Sequence, residues 1–328
     1  MASAHILAAD IGGTKIATAV ITSEGEILRM SKASSVANSP PALIDRIATM
    51  LQDDLRQAGV NIAAVLGLGV GIAAVISADH RVVTWAPNLP GWKDVPLHDE
   101  LATRLNLPVC IEYDGHTAVL GEWWLGAGRG YQNVVFVIVG TGIGGGMILN
   151  GQLYRGTSGL AGAAGWFVLD TQRVSDKYAR RLGHWESLAA GPAIDRLAAE
   201  RLRQSGEPSV LREQGPDPHD KLTTQMIFDA ARGGDILAHG LVRQAGEILG
   251  VGIANIVSLV NPEIVILGGG VGIQADLLMD PIRQVVLHNA QPTSAQAVQI
   301  LPAKLGAKAG LLGAAKAILL CQERCGEQ

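Results

Sequence analysis

Two short stretches of the chain combine glycine and threonine, the first of them with charge, in a way that suits phosphate. One is Asp10-Ile11-Gly12-Gly13-Thr14-Lys15, and the other is Gly140-Thr141-Gly142-Ile143-Gly144-Gly145-Gly146. Glycine lets backbone N–H groups approach phosphate oxygens without obstruction by a side chain. Thr14 and Thr141 add hydroxyl donors, and Lys15 adds a cation. Asp10 ends an apolar run and can orient Mg²⁺ through water, because Mg²⁺ keeps much of its hydration. Gly268-Gly269-Gly270 ends a third apolar run. Either of the first two turns alone is equally compatible with an ordinary tight hairpin. Three such turns together point to phosphate.

The run Gly140 to Gly145 also matches G-x-G-x-x-G, the fingerprint of a dinucleotide fold. That fold needs a helix after the glycines, so that the helix N-terminus faces the pyrophosphate. Here residues 147–150 read as a returning strand, and Asn150-Gly151 is a hairpin signal. The pattern therefore argues against a nicotinamide oxidoreductase. No G-x-x-x-x-G-K-[ST] run occurs either.

The elements that must position these turns follow from apolar periodicity. Strands are expected over 5–10, 16–22, 65–72, 109–112, 133–139, 147–150 and 263–267, with a turn from Gly140 through Gly146. Helices are expected over 41–58, 97–105, 187–203, 223–232, 239–260 and 309–320. Residues 170–186 are polar without clear periodicity, and 203–221 read as a loop carrying Pro208, Pro216 and Pro218. Strands alternating with helices indicate an α/β fold. The strand–glycine turn–strand unit recurs about 130 residues after its first copy, which suggests a duplicated α/β lobe.

The two phosphate-type turns together resemble the ROK family of sugar kinases and repressors. Ala86-Pro87-Asn88-Leu89-Pro90-Gly91-Trp92 looks like that family's A-P-N-L-x-G-W segment. Leu267-Gly268-Gly269-Gly270-Val271 resembles its adenosine turn, and Gly310-Leu311-Leu312-Gly313-Ala314-Ala315 its C-terminal helix. The likeness runs from about residue 6 to about residue 316. It implies the two-lobed ribonuclease-H-like fold shared with actin and hexokinase, with ATP and Mg²⁺ in a central cleft. On this reading a small lobe comprises 1–117 with 305–328 and holds the phosphate hairpin and the catalytic aspartate. A large lobe spans 118–304, with the second phosphate turn, the adenosine turn and a dimer face. ATP contacts are then expected from Asp10, Gly12, Gly13, Thr14, Lys15, Gly140, Thr141, Gly142, Gly144, Gly268, Gly269 and Gly270. The chain begins only nine residues before Asp10, so the helix-turn-helix of the family's repressors is not expected.

The family's N-D-x-N-A segment appears here as Tyr113-Asp114-Gly115-His116-Thr117 by position, with Asp114 kept and Ala118 next. The resemblance makes Asp114 the general base that accepts the acceptor hydroxyl's proton during phosphoryl transfer. Capping of the following helix is a compatible second role. The departures concern the acceptor. The two family asparagines are Tyr113 and His116. The sugar motif A-G-E-x-G-H is Ala161-Gly162-Ala163-Ala164-Gly165-Trp166, so its glutamate and histidine are absent. The segment 170–186, where the family's zinc cysteines fall, holds no cysteine, and Gly183-His184-Trp185-Glu186 stands at G-C-x-E. Zinc is therefore not expected, since His184 alone cannot supply four tetrahedral ligands. Acceptor contacts are expected from Asn88, Tyr113, His116, Trp166 and Glu186. Trp166 and Trp185 can fill core where metal would sit, or an aromatic can stack on the acceptor. Losing a hydrogen bond to a charged group gives up roughly 1.5–3 kcal/mol. The acceptor is thus expected to be a sugar or sugar-like molecule other than plain glucose. A catalytically silent nucleotide or sugar sensor is the alternative.

Composition limits the remaining classes. The chain has 328 residues, 48% hydrophobic and 17% charged, which excludes a disordered polymer. A net charge of -4 gives no footprint for nucleic acid. No apolar run is long enough to span a membrane, and no signal peptide is seen. Cys110, Cys321 and Cys325 are read as reduced thiols in a cytoplasmic protein. A homodimer is implied by the resemblance alone.

Overall fold

The computed structural model describes residues 4–171, 177–212 and 222–326. Part of the expected polar stretch 170–186, Pro216 and Pro218 of the expected loop, and the side chain of Cys325 lie outside the described residues. The first strands are β1 (His5–Ile11), β2 (Lys15–Thr22) and β3 (Ile27–Ser34), followed by helix α1 (Pro40–Ala58). Next come β4 (Val65–Ile72), β5 (Val75–Ile76), β6 (Val83–Trp85), β7 (Lys93–Val95), α2 (Leu97–Leu105), β8 (Val109–Tyr113) and α3 (Asp114–Leu125). Then follow β9 (Val134–Val139), β10 (Ile143–Leu149), β11 (Gln152–Leu153), α4 (Lys177–Leu182), α5 (His184–Ala189), α6 (Gly191–Gln204), α7 (Thr224–Arg232) and α8 (Ile236–Val260). The chain continues through β12 (Ile264–Gly268), α9 (Gly269–Gly272), α10 (Ala275–Asn289), α11 (Pro292–Ala297), β13 (Gln299–Pro302) and α12 (Ala309–Gly326).

The chain divides into two compact units. The first is Met1–Gln132 with Gly145–Gly162 and Lys304–Gln328; the second is Asn133–Gly144 with Ala163–Ala303. The first unit is built on a sheet of order β3-β2-β1-β4-β8. Strands β1, β4 and β8 are parallel, and β2 and β3 return antiparallel. Successive side chains alternate faces. Leu68, Val70 and Ile72 of β4 join Leu43, Ile47 and Leu51 of α1 in one buried core. Burial of each such side chain contributes about 1.5–3 kcal/mol. The alternate residues Gly67, Gly69 and Gly71 leave the other face bare. A Cβ on Gly69 would strike the backbone of Ala314, and one on Gly71 would lie 2.7 Å from Thr117 Oγ1. Helices α12 and α3 therefore pack directly on the strand backbone. Helix α1 starts on Ser39, whose hydroxyl accepts from Ala42 N–H, and ends on Gly59 in the left-handed region.

The second sheet has the order β11-β10-β9-β12-β13, so the pattern of hairpin followed by parallel strands occurs twice. Within the second unit β12 is parallel to both β9 and β13. The long helix α8 begins at Asp235, whose carboxylate accepts from Ala238 N–H at 2.8 Å. Trp185 is fully buried, stacks on Phe167 with ring centroids 5.9 Å apart, and fills the space left by Gly252. Of its two sequence readings, Trp185 follows core filling.

Three expectations need correction. The glycine turn does not run to Gly146, because β10 already starts at Ile143. Its glycines keep the strand thin: a Cβ on Gly146 would meet Gly115 O at 2.5 Å and Val119 of α3 at 2.8 Å. The single helix expected over 187–203 is two helices, α5 and α6, broken at Ala190 with φ -71 and ψ 162. Pro192 disfavours helical backbone before it, and Gly191 N–H donates instead to Gly140 O at 2.8 Å. Finally, the stretch 170–186 contributes α4 and the start of α5. Sequence reading also missed α10, α11, β13 and the small sheet β5-β6-β7.

Candidate active site

In the first unit the parallel strands end on two carboxylates. Asp10 is the penultimate residue of β1, and Asp114 immediately follows β8, with β4 between these strands. The carboxyl ends of parallel strands are where open α/β sheets place ligands. Two strand spacings separate the pair laterally, on the order of 10 Å. Burial, then the charge of Asp114, pushes the Asp10 carboxyl from 3.8 up to about 7. Burial also raises the pKa of Asp114, against the opposing Gly115 N–H at 2.8 Å and the nearby His116. A carboxylate shifted toward neutrality is better matched to take a proton from a hydroxyl. Asp114 is the first residue of α3, and Tyr113 before it makes no side-chain cap. The N-terminus of α12 approaches the other carboxylate, where a Cβ on Gly310 would lie 2.7 Å from Asp10 Oδ2.

The turn between β1 and β2 closes through Gly12 N–H donating to Lys15 O at 2.9 Å, leaving Thr14 and Lys15 exposed. Asn88 lies over this turn: a Cβ on Gly13 would be 2.6 Å from Asn88 Cβ. Thus Asp10, the Gly12–Lys15 turn and Asn88 are brought together, with Asp114 at the end of the same sheet. Tyr113 is half-buried and meets the His116 ring edge-on, centroids 5.3 Å apart. His116 itself is fully buried. Its Nδ1 faces Glu112 Oε2 at 3.3 Å and its Nε2 faces Ala161 O at 3.0 Å. Both ring nitrogens of this expected acceptor contact are therefore directed at protein groups.

In the second unit the turn after β9 and the turn after β12 are neighbours. Gly140 N–H donates to Gly142 O at 2.9 Å, and a Cβ on Gly140 would lie 3.9 Å from Gly270 N. Gly269 has φ 79 and lies against the Val139 carbonyl, a backbone state that favours glycine. The Gly140–Gly191 bond brings the start of α6 to the same turn. Thr141 is exposed, whereas Gly144 is a buried residue of β10. Glu186 sits on the turn: its Oε2 accepts from Ile143 N–H at 2.8 Å, and a Cβ on Gly142 would lie 2.6 Å from it. Burial raises the Glu186 pKa despite that hydrogen bond. Trp166 is 60% exposed, in contrast to Trp185.

Two carboxylates escaped sequence reading. Glu112 is 1% exposed and bonds Arg155, Nε to Oε1 at 2.8 Å. Glu122 is fully buried and accepts from the backbone N–H groups of Ala127, Lys304 and Leu305. The only advance signal for Glu112 is a charge at the end of the apolar run Val109-Cys110-Ile111. Among the described residues no cluster of three or more His, Cys, Asp or Glu has metal-holding geometry. Nor is any described helix long and apolar enough to cross a membrane.

The ROK family pattern matches residues 6–321. The chain belongs to the ROK family. It is 35% identical to the glucokinase of Streptomyces coelicolor over 312 residues, 93% of this chain and 95% of that one. A crystal structure of a ROK family glucokinase from Streptomyces griseus, in complex with glucose and AMPPNP, superposes with a TM-score of 0.79. It is 34% identical, with 95% of this chain and 98% of that chain covered. The xylose repressor of Bacillus subtilis is 27% identical over 94% of this chain and 76% of its own length. The fold is thus the α/β fold of the ROK sugar kinases, of the actin and hexokinase type. Every motif used in the sequence comparison lies inside the ROK match.

Proposed function

We propose that this ROK protein is an ATP-dependent sugar kinase whose acceptor is a sugar or sugar-like molecule other than plain glucose. The observation that carries the reading is the pair Asp10 and Asp114 at the carboxyl ends of the parallel strands β1 and β8 of one sheet, both with raised pKa values. The likeness to glucokinases, one of them crystallised with glucose and an ATP analogue, supports the reaction class. The replacements Tyr113, His116, Ala163 and Trp166 support a changed acceptor.

In the proposed mechanism Asp114 is the general base. It takes the proton of the acceptor hydroxyl as that oxygen attacks the γ-phosphorus of ATP in line, while the bond from that phosphorus to the bridging oxygen breaks and ADP leaves. General-base assistance of this kind is worth about 10²–10⁴-fold. In the first unit the turn Gly12–Lys15 offers backbone N–H groups, the Thr14 hydroxyl and the Lys15 cation to phosphate. In the second unit Gly140-Thr141-Gly142 offers the same without the cation, and Gly268-Gly269-Gly270 takes the adenosine end. Asn88, Tyr113, Trp166 and Glu186 are the proposed acceptor contacts, and His116 acts through its neighbours.

The donor set fits Mg²⁺ held with ATP. One carboxylate, phosphate oxygens and water suit an ion that keeps much of its hydration. Asp10 is half-buried, and desolvation together with the charge of Asp114 disfavours its carboxylate, so a divalent cation beside it would relieve an electrostatic strain. Mg²⁺ bound there would neutralise charge on the transferring phosphates.

The test is Mg²⁺-dependent ADP release across hexoses, amino and N-acetyl sugars, disaccharides and cyclitols. Release is expected with one acceptor class, falling at least 100-fold in Asp114→Asn, with nucleotide binding retained. Nucleotide binding without acceptor-dependent release from any of these would favour the sensor reading. Release unchanged in the variant would remove Asp114 as base.

A further inference from the structure

The loop that follows β11 is fastened at both ends to the strand and helix that carry Asp114. At its start the Arg155 guanidinium grips Glu112 Oε1 with two nitrogens, Nε at 2.8 Å and Nη2 closer still. At its end the Ala161 carbonyl lies 3.0 Å from His116 Nε2. His116 Nδ1 in turn lies 3.3 Å from the other oxygen of Glu112. Ala161 N–H also donates to Arg155 O at 3.0 Å, which closes the loop on itself. A single carboxylate therefore organises both ends of the loop.

The position of that carboxylate matters. Glu112 stands two residues before Asp114 and His116 two residues after it. Glu112 is 1% exposed, and burial alone would push its pKa up. Hydrogen bonds from His116 and Arg155 outweigh burial and hold it below its ordinary value. His80 adds a third approach, with Nδ1 2.9 Å from Ile111 O and 3.9 Å from Glu112 Oε2. Burying such a charge pair is an expensive way to stabilise a fold, since well-packed apolar residues often do as well. Its geometric specificity, two guanidinium nitrogens on one carboxylate oxygen and an imidazole on the other, is what apolar packing lacks. The loop leads directly into Gly162-Ala163-Ala164-Gly165-Trp166, the altered acceptor segment.

We propose that Glu112, Arg155 and His116 are positioning residues that lock the loop 155–161 and the Asp114 turn into one rigid body. This rests on the kinase reading for its catalytic consequence: an acceptor guided by the loop then presents its hydroxyl to the base. A displacement of about 1 Å between reacting groups costs about 100-fold in rate.

The experiment compares Arg155→Met, Arg155→Lys and His116→Gln with wild type in two readouts. The first is hydrogen exchange on the full chain without ligands. Arg155→Met is expected to speed exchange about tenfold or more in both 155–162 and 113–116, with α1 and α8 protected as in wild type. Arg155→Lys and His116→Gln, which keep a donor, are expected to change less. Acceleration confined to the loop, with 113–116 unchanged, would overturn the coupling; so would loss of protection everywhere, which would mark Arg155 as merely structural. The second readout is steady-state kinetics with the acceptor identified above. Arg155→Met is expected to lower kcat/KM for the acceptor about 100-fold while KM for ATP stays within about twofold, with partial rescue by Lys. Equal losses toward both substrates, or no loss, would overturn the positioning role. A wild type that turns over no acceptor would overturn the kinase reading instead, and the exchange result would still decide the coupling.

Discussion

The charge of Asp114 helps lift the pKa of Asp10 from across strand β4. Burial is the larger cause, and together they bring the Asp10 carboxyl to about 7. The two residues lie 104 positions apart in sequence, Asp10 within β1 and Asp114 just after β8, strands that do not touch each other. Their interaction has consequences that can be measured without substrate.

The first concerns stability. Unfolded Asp10 titrates near 3.8, so between that value and about 7 the folded chain holds a proton that the unfolded chain has released. Stability therefore falls as pH rises through this window and levels off above it. At 1.36 kcal/mol per unit the effect is at most about 4 kcal/mol. Asp10→Asn cannot ionise, so its advantage over wild type is expected to grow from pH 5 to pH 8. Urea unfolding without Mg²⁺ or nucleotide measures this directly. A difference that stays constant across pH would contradict the assignment.

A second prediction concerns Asn88. A methyl group on Gly13 would lie 2.6 Å from Asn88 Cβ and 3.2 Å from its carbonyl oxygen. Gly13→Ala must push the 86–92 segment away from the Gly12–Lys15 turn. The expected result is a KM for the acceptor raised about tenfold or more, with a loss of stability of about 1–3 kcal/mol from overpacking. Kinetics and denaturation on the same preparation separate the two. An unchanged acceptor KM would take Asn88 out of the site.

The tryptophans supply a third. Trp185→Ala removes a fully buried ring stacked on Phe167 and is expected to destabilise by about 3–5 kcal/mol. Trp166, 60% exposed, is expected to change stability by no more than about 0.5 kcal/mol as Ala while weakening acceptor binding. Calorimetric unfolding and acceptor titration give both numbers. Equal stability effects at the two positions would refute the distinction.

How far the sequence showed this structure depends on the range of the interactions involved. Strands β1, β4 and β8 were legible because short apolar runs, closed by an aspartate in β1 and interleaved with glycine in β4, are local signals. The glycines of β10 misled, since a glycine run reads as a turn unless one knows that α3 lies across it. Asp114 was legible by resemblance and by its place at a strand end. The inward facing of His116 was not, because its partner Ala161 is 45 residues away. For the same reason the Glu112–Arg155 pair, 43 residues apart, left no trace in any local pattern. Long-range polar contacts are specified by the finished topology, and a single sequence carries no signal of register between distant segments.

The socket made by Glu122, and the bare glycine face of β4 that receives α12, fix an order of events during synthesis. Strands β1, β2, β3, β4 and β8 leave the ribosome well before residues 304 onward, yet those later residues supply α12, which packs on one face of their sheet beside α3, and two of the backbone groups that Glu122 binds. The second unit draws its strands and helices from 133–144 and 163–303 and can be complete before that point. The unit begun before the second is thus completed after it, and the nascent chain must shelter a partly covered mixed sheet until α12 emerges.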